Sequence, residues 1–236
     1  IPKLILSLSI PTVISMLSTS IYNMADTFFV SQLGTSATAA VGIVFSIMAI
    51  IQAIGFTLGM GAGSIISRLL GQQDRESACI TASTAFFAAL VAGVLIAICG
   101  QIWIEPLMQL LGATDTVLPY ATSYATYIFW GAPFICASFV MNNILRSEGK
   151  ATFSMIALAS GGLINILLDP FFIFVLDLGT AGAAIATLIS QFIGFCIFIQ
   201  FFFRKKSIVH LSYKYISPRF RVYRSIVSNG FPSLCR

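Results

Sequence analysis

The chain has 236 residues, of which 58% are hydrophobic and 9% are charged, and its mean hydropathy is +0.95. Soluble domains carry about 25% charged residues, so this composition excludes an ordinary soluble domain and indicates an integral membrane protein. The net charge of +5 does not indicate nucleic-acid binding, because the basic residues lie in short loops between apolar segments instead of forming one patch.

Apolar segments long enough to cross a hydrocarbon core of about 30 Å, at 1.5 Å per residue, recur along the chain. We expect an all-α integral membrane fold with six transmembrane helices, near 4–31, 37–67, 77–100, 117–145, 151–175 and 180–203. Pro11 lies well inside the first segment and predicts a kink, since proline removes a backbone donor and clashes with the preceding turn. In the second segment Gly55, Gly59 and Gly63 recur every four residues, a spacing that favours close packing of helix backbones.

Lysine and arginine occur at the start of the chain and in alternate loops, from Lys3 to the run that begins at Arg204. The intervening loops, near 32–36, 101–116 and 176–179, contain neither residue type. By the positive-inside rule, the N-terminus and the basic loops lie in the cytoplasm. We therefore expect a multi-pass protein of the plasma (inner) membrane with a cytoplasmic N-terminus.

Two aspartates, Asp26 and Asp169, lie inside segments that otherwise have the composition of lipid-buried helices. A charge at membrane depth costs at least about 2.5–3.5 kcal/mol, so such residues usually have a function. Tyr22 precedes Asp26 by four residues and Asn165 precedes Asp169 by four, which places each pair on one helix face. Two carboxylates at one depth on neighbouring helices repel each other unless a cation or a proton lies between them.

These aspartates have a simpler interpretation, in which Asp169 caps a short outer turn and Asp26 pairs with a tyrosine.

In the fourth segment, Tyr120 fits an interfacial aromatic belt, whereas Tyr124 and Tyr127 fit the belt and a position facing a cleft equally well. For Asn142, contact with the substrate and packing between helices are equally good interpretations. Without a Ser-His-Asp set, a metal-spaced cluster or a phosphate-binding loop, the sequence does not indicate an enzyme.

The end of the chain repeats its beginning. Lys3 stands eight residues before Pro11, and Arg224 stands eight before Pro232. In both places the proline is the third of four residues, in the order small, apolar, proline and hydroxyl-bearing. An even number of spans separates the copies, so the repeat is parallel. We expect residues 1–203 to form one six-helix lobe, half of a pseudo-two-fold twelve-helix transporter. Residues 204–224 then form a basic cytoplasmic link, and 225–236 begin a seventh helix.

The chain resembles the multidrug and toxic compound extrusion (MATE) family over nearly its whole length. The resemblance rests on short motifs in a fixed order, which are Tyr22-Asn23-Met24-Ala25-Asp26-Thr27, Gly55-Phe56-Thr57-Leu58-Gly59-Met60-Gly61, Ser67-Arg68-Leu69-Leu70-Gly71, Asn143-Ile144-Leu145-Arg146, Asn165-Ile166-Leu167-Leu168-Asp169-Pro170 and Gly182-Ala183-Ala184-Ile185-Ala186-Thr187. It implies two six-helix lobes around a central cleft and cation-coupled export of drug-like, often cationic compounds by alternating access, with this chain supplying the N-terminal lobe.

The resemblance also implies a coupling-ion site at Asp26, Asn165, Asp169 and Thr187, with the carbonyl of Ala183 as a further ligand. It favours Tyr124 as a hydrogen-bond partner of the carboxylates. Oxygen ligands suit Na⁺ or a proton and not a soft transition metal, and no other cofactor is expected. The expected partners are small-molecule drugs and the lipid bilayer, with a monomeric full-length protein. The rival function is a flippase for lipid-linked glycans of the same superfamily, which would need basic residues that every span interior lacks.

Overall fold

The computed structural model describes residues 2–204, 207–217 and 219–233, and the side chains of residues 9–232 within them. The described residues form helices and loops and contain no strand. The helices are α1 (Pro2–Ser31), α2 (Thr35–Gly71), α3 (Arg75–Ile102), α4 (Ile104–Leu110), α5 (Leu118–Ser147), α6 (Ala151–Pro170), α7 (Gly179–Phe203) and α8 (Phe220–Gly230). A π-helical turn at Phe171–Val175 extends α6, and 3₁₀ turns lie at Tyr213–Tyr215 and Phe231–Ser233.

Five helices in the described part of the chain are long and apolar enough to cross a membrane, namely α2, α3, α5, α6 with its π-helical turn, and α7. The remaining expected span, 4–31, coincides with α1, which has 30 residues. Its described side chains include the polar residues Asn23 and Asp26. The expected all-α membrane fold is confirmed.

Helix α5 lies at the centre of the bundle. It packs against α2, α3 and α7, while α1 packs mainly against α6. The glycines of α2 lie in the α2–α5 interface: a β-carbon at Gly59 would lie 2.7 Å from the amide nitrogen of Asn143. At Gly55 and Gly63 the nearest atoms likewise belong to α5. The prediction that these glycines serve close helix packing is confirmed.

Two boundaries differ from the sequence prediction. The loop expected at 101–116 contains the short helix α4, whose Met108 is buried in the core. The helix expected from 225 begins at Phe220, so the link is shorter than 204–224. Both helices mix polar and apolar residues, and both are too short to cross a membrane. Hydropathy along the sequence therefore did not indicate them.

The link lies against the bundle over its described residues. The carboxylate of Glu148, just after α5, accepts hydrogen bonds from the hydroxyl of Ser207 and from the backbone N–H groups of Ile208 and Val209, at 2.6, 2.9 and 3.0 Å. Lys150 forms an ion pair with the same carboxylate at 3.4 Å. Glu148 therefore fixes the start of the link to the end of α5.

Pro11 lies inside a continuous α1, and the hydroxyl of Ser15 donates to its carbonyl at 2.7 Å. Such a bond from a hydroxyl to the preceding turn often accompanies a bend. The kink at Pro11 stays a prediction.

Candidate functional site

The first half of the site joins α1 to α5. The hydroxyl of Tyr124 donates to Oδ2 of Asp26 at 3.0 Å. Tyr124 is fully buried and Asp26 is 8% exposed. The partner of Asp26 is therefore the tyrosine of a distant helix, which the family resemblance favoured, and not the neighbouring Tyr22.

The second half of the site joins α6 to α7. The side-chain amide of Asn165 donates to Oδ1 of Asp169 at 3.2 Å and to the hydroxyl oxygen of Thr187 at 3.3 Å. All three side chains are at most 3% exposed. Asn165 and Asp169 face the same way because they are one helical turn apart, and Thr187 approaches them from the neighbouring helix.

The two halves lie close enough for the carboxyl groups of Asp26 and Asp169 to interact electrostatically, and Tyr124 also neighbours Thr187. Three buried oxygens of this cluster, Oδ1 of Asp26, Oδ2 of Asp169 and Oδ1 of Asn165, accept no hydrogen bond from the described residues. Buried acceptors without donors are unfavourable by about 1–3 kcal/mol each, and more when charged. A proton or a hard cation would satisfy these oxygens, since a carboxylate can take up a proton and hard cations prefer oxygen ligands.

The backbone is irregular beside Asp169. Pro170 lacks an N–H group, so the carbonyl of Ile166 loses its usual helical donor, and the chain continues as the π-helical turn. Helix α7 passes close to this turn, because a β-carbon at Gly182 would lie 2.6 Å from the carbonyl oxygen of Phe172. Ala183 follows and is fully buried. Its carbonyl as a ligand stays a prediction.

Tyr22 connects the site to a small cavity. Its ring packs over Gly162, where a β-carbon would lie 3.2 Å from the ring, and it neighbours both Asp26 and Gln191. The cavity, of about 30 Å³, has room for one or two water molecules. It is lined by Thr19, Tyr22, Ser138, Phe139, Ala157, Leu158, Gly161, Gly162, Asn165, Ser190, Gln191, Gly194 and Phe198. Asn165 thus belongs both to the carboxylate cluster and to the cavity wall.

Two predicted candidates remain apart from this cluster. Tyr127 is partly buried and packs against the hydrophobic core, and its hydroxyl forms no hydrogen bond with the described residues. Asn142 is 3% exposed, and its Oδ1 accepts no hydrogen bond from them either. It does not line the cavity. A substrate role for either residue stays a prediction.

Sequence reasoning missed several cavity residues. Gln191 follows Thr187 by one helical turn, so the same spacing argument that paired Asn165 with Asp169 would have found it. Ser138 gave no such signal, because it is a small polar residue within an apolar helix.

The fold and this cluster define a multi-pass membrane protein with a polar, carboxylate-bearing site inside its helix bundle. The MatE family model matches residues 11–171, which is more than half of the chain. The chain belongs to the MatE family.

Known proteins resemble the chain over nearly its full length. The multidrug export protein MepA of Staphylococcus saprophyticus is 32% identical over 226 residues, 95% of this chain and 50% of that protein. The FAD transporter of Shewanella oneidensis is 36% identical over 194 residues, 80% of this chain and 43% of that protein. The solved structure of a MOP superfamily transporter from Pyrococcus furiosus superposes with a TM-score of 0.92 at 36% identity, covering 99% of this chain and 52% of that one. The chain spans about half the length of the curated relatives it matches.

Proposed function

We propose that the full-length protein is a cation-coupled multidrug antiporter of the plasma membrane, acting as a monomer, and that this chain provides a lobe with its coupling site. The observation that supports this most is the pair of buried carboxyl groups, Asp26 and Asp169, each with one oxygen that no described residue satisfies. A purely structural pair would be expected to have both oxygens hydrogen-bonded. A site that loads and releases a proton or Na⁺ needs acceptors that are left free between steps.

Ion loading would act on the shape of the lobe through charge. When both carboxyl groups are ionised they repel each other, and a proton or Na⁺ removes that repulsion. Asp26 lies on α1, and Asp169 lies on α6, the main packing partner of α1. Loading therefore favours a different arrangement of the two helices, which couples the ion to any substrate that contacts them.

The substrate would contact the same helices. Thr19 and Tyr22 of α1 line the cavity together with Asn165 of α6, so ion and substrate share helices and one side chain. A substrate that needs α1 in one arrangement and an ion that favours the other would exclude each other, which is the requirement for antiport. The cavity would have to widen considerably to hold a drug-sized compound.

The chemistry of the cavity favours drug-like compounds over anionic ones. None of its described lining residues carries a charge, and all are apolar or neutral polar. The relative named FAD transporter makes a dinucleotide the second candidate substrate, and lipid-linked glycans are the third. Both carry phosphates, which usually require arginine or lysine for binding.

Transport in proteoliposomes tests the proposal. The full-length protein is reconstituted, and export of a fluorescent cation such as ethidium is followed under an imposed Na⁺ or proton gradient. We expect one gradient to drive export without ATP, and FAD to compete poorly. Export that continues at the same rate with both gradients collapsed would refute cation coupling, and strong competition by FAD would reassign the substrate class.

A further inference from the structure

A second cavity lies away from the carboxylates, where the ends of α3 and α7 meet the link. Its lining is mostly aromatic and aliphatic, formed by Phe86, Phe87, Ile199, Phe202, Phe203, His210, Leu211, Ser212 and Tyr213. We propose that this cavity, called here the link cavity, binds an anionic phospholipid of the cytoplasmic leaflet. The proposal rests on the membrane orientation predicted from the loop charges, and it does not depend on what the protein exports.

The link cavity is preformed, because hydrogen bonds hold its outer wall against α3. The backbone N–H of His210 donates to the sulfur of Cys79 at 3.4 Å, and the hydroxyl of Ser83 donates to the carbonyl of His210 at 3.3 Å. The backbone N–H of Ser212 in turn donates to the hydroxyl oxygen of Ser83 at 3.2 Å. Together with the Glu148 contacts, these bonds fix the link over the helices, so a ligand would not have to order it.

The cavity lies at the depth where hydrocarbon meets headgroups. About 20 helical residues span the core, and counting that length back from Ile102, the outer end of α3, reaches residue 82. The same count from Gly179, the outer end of α7, reaches Ile199. Phe86 and Phe87 therefore lie within the hydrocarbon, whereas Phe203 and the link lie at the level of the headgroups.

The two ends of the cavity match the two parts of a phospholipid. Its floor, Phe86 and Phe202, is buried and apolar and suits an acyl chain, and Phe203 at its edge is 82% exposed. Next to the lining residues in the chain stand Arg204 and Lys214, both exposed. Their positive charges suit a phosphate group.

The charge of the surrounding segment selects an anionic headgroup. Residues 204–224 include seven lysines and arginines and no aspartate or glutamate. Clusters of basic residues next to a membrane helix on its cytoplasmic side attract anionic lipids, by about a factor of five for each charge. The same charges would repel a cationic drug, and a zwitterionic lipid would gain less from them.

Native mass spectrometry of the detergent-solubilised full-length protein tests the proposal. Dioleoylphosphatidylglycerol and dioleoylphosphatidylcholine are titrated separately, and the bound lipid is counted. We expect the wild type to prefer phosphatidylglycerol, and the double variant Arg204→Gln/Lys214→Gln to lose about 25-fold in affinity for it. The matched control is Arg219→Gln/Arg221→Gln, which removes the same charge from residues that do not adjoin the cavity lining, and it should lose much less affinity for phosphatidylglycerol.

The apolar end is tested by a second matched pair. Phe203→Ser changes an exposed phenylalanine of the cavity, and Phe220→Ser changes one that is 78% exposed on α8. We expect only Phe203→Ser to weaken both lipids. Three outcomes would overturn the proposal. The wild type could bind the two lipids equally, or a variant and its control could lose the same affinity. Alternatively, ethidium could displace phosphatidylglycerol. Since the readout is binding, failure here leaves the export proposal untouched.

Discussion

Asp26 and Asp169 each use one carboxylate oxygen within the protein and leave the other without a donor. The donors differ in kind. Asp26 is held by the phenol of Tyr124, whereas Asp169 is held by the amide of Asn165, which also contacts Thr187. Tyr124 of α5 contacts α1, and Asn165 of α6 contacts Thr187 of α7. The site therefore depends on the packing of all four helices, α1, α5, α6 and α7.

Replacement of Tyr124 by phenylalanine removes the described donor to Asp26 and leaves the ring in place. A hydrogen bond donated to a carboxylate stabilises its ionised form and so opposes cation uptake. Because such bonds contribute about 1.5–3 kcal/mol, we expect the apparent affinity for the coupling cation to rise roughly 10- to 100-fold. Gradient-driven export measured against cation concentration would show the shift. Tyr127→Phe is the control, because its hydroxyl has no described hydrogen bond, and equal behaviour of the two variants would contradict the assignment.

Part of this site could be predicted from the sequence, because helical geometry fixes which residues four apart share a face. That argument brought Asn165 to Asp169 correctly. The same spacing places Tyr22 beside Asp26, and the two are neighbours, although the hydrogen bond to Asp26 comes from Tyr124 and the ring of Tyr22 packs over Gly162. Contacts between helices, such as Tyr124 with Asp26, depend on tertiary packing that no local spacing determines; only the family resemblance indicated that one.

Among the helices, α5 depends most on exact packing. Its contact with α2 is made where glycines remove side chains from the interface, so the two backbones come close together. α3 packs closely against α5 in the same way, because Gly93 of α3 lies directly against the backbone of Pro133 in α5. The position of Tyr124, and so of the donor to Asp26, follows from these contacts.

A methyl group added at Gly59 should destabilise the protein. The β-carbon of Gly59→Ala would lie 2.9 Å from the carbonyl oxygen of Phe139, and overpacking of this kind usually costs about 1–3 kcal/mol. Gly42→Ala is the control, since nothing lies within 4 Å of its β-carbon. Thermal unfolding in detergent, followed by size-exclusion fluorescence, should show a lower transition only for Gly59→Ala. Equal transitions would contradict the described interface.

Glu148 should control how firmly the link is held. Glu148→Gln removes a charged acceptor from three donors, and the loss of even one such bond is worth about 1.5 kcal/mol, or roughly tenfold in the population of the released link. We expect trypsin to cleave after the basic residues of 204–214 about ten times faster. Glu105→Gln, in an exposed position on α4, should leave the rate unchanged. An unchanged rate in Glu148→Gln would show that other contacts hold the link.

At the scale of the helices, hydropathy predicted the long elements because a span needs about 20 apolar residues and little else. The packing order, with α5 in the centre and α1 against α6, could not be predicted, since every span is apolar on several faces. Glu148 lies beyond the expected span 117–145, and its role depends on the link folding back to contact it, since Ile208 is 60 residues away in sequence.

At the scale of the whole molecule, α8 packs against α2. Its Gly230 lies against the carbonyl of Thr57, and the carbonyl of Ile226 lies against Gly61 of α2. The guanidinium of Arg68 donates to the side-chain oxygen of Asn229 at 3.0 Å. In the predicted repeat, Gly230 is the counterpart of Ser9 in α1, so we assign α8 to the second lobe and this contact to the junction between lobes.

The proposed antiport by alternating access requires the junction to separate. We expect a short bifunctional thiol reagent between Arg68→Cys and Asn229→Cys to stop export, and reduction of a cleavable reagent to restore it. A cross-link between Gln101→Cys and Thr126→Cys, within the α3–α5 interface, should leave export intact, because a hydrogen bond of 2.8 Å already joins these two residues inside one lobe. Normal export by the α2–α8 cross-linked protein would contradict this view of the junction.

The central claim is that the buried carboxyl groups of Asp26 and Asp169 couple a cation to export. The most direct test is gradient-driven ethidium export by proteoliposomes of Asp26→Asn and Asp169→Asn, with Asp177→Asn, exposed in the loop before α7, as the matched control. Asparagine keeps the shape of the side chain but cannot take up a proton or carry the charge. The account predicts at least a tenfold loss in both site variants and wild-type export in the control, whereas wild-type export by either site variant would contradict it.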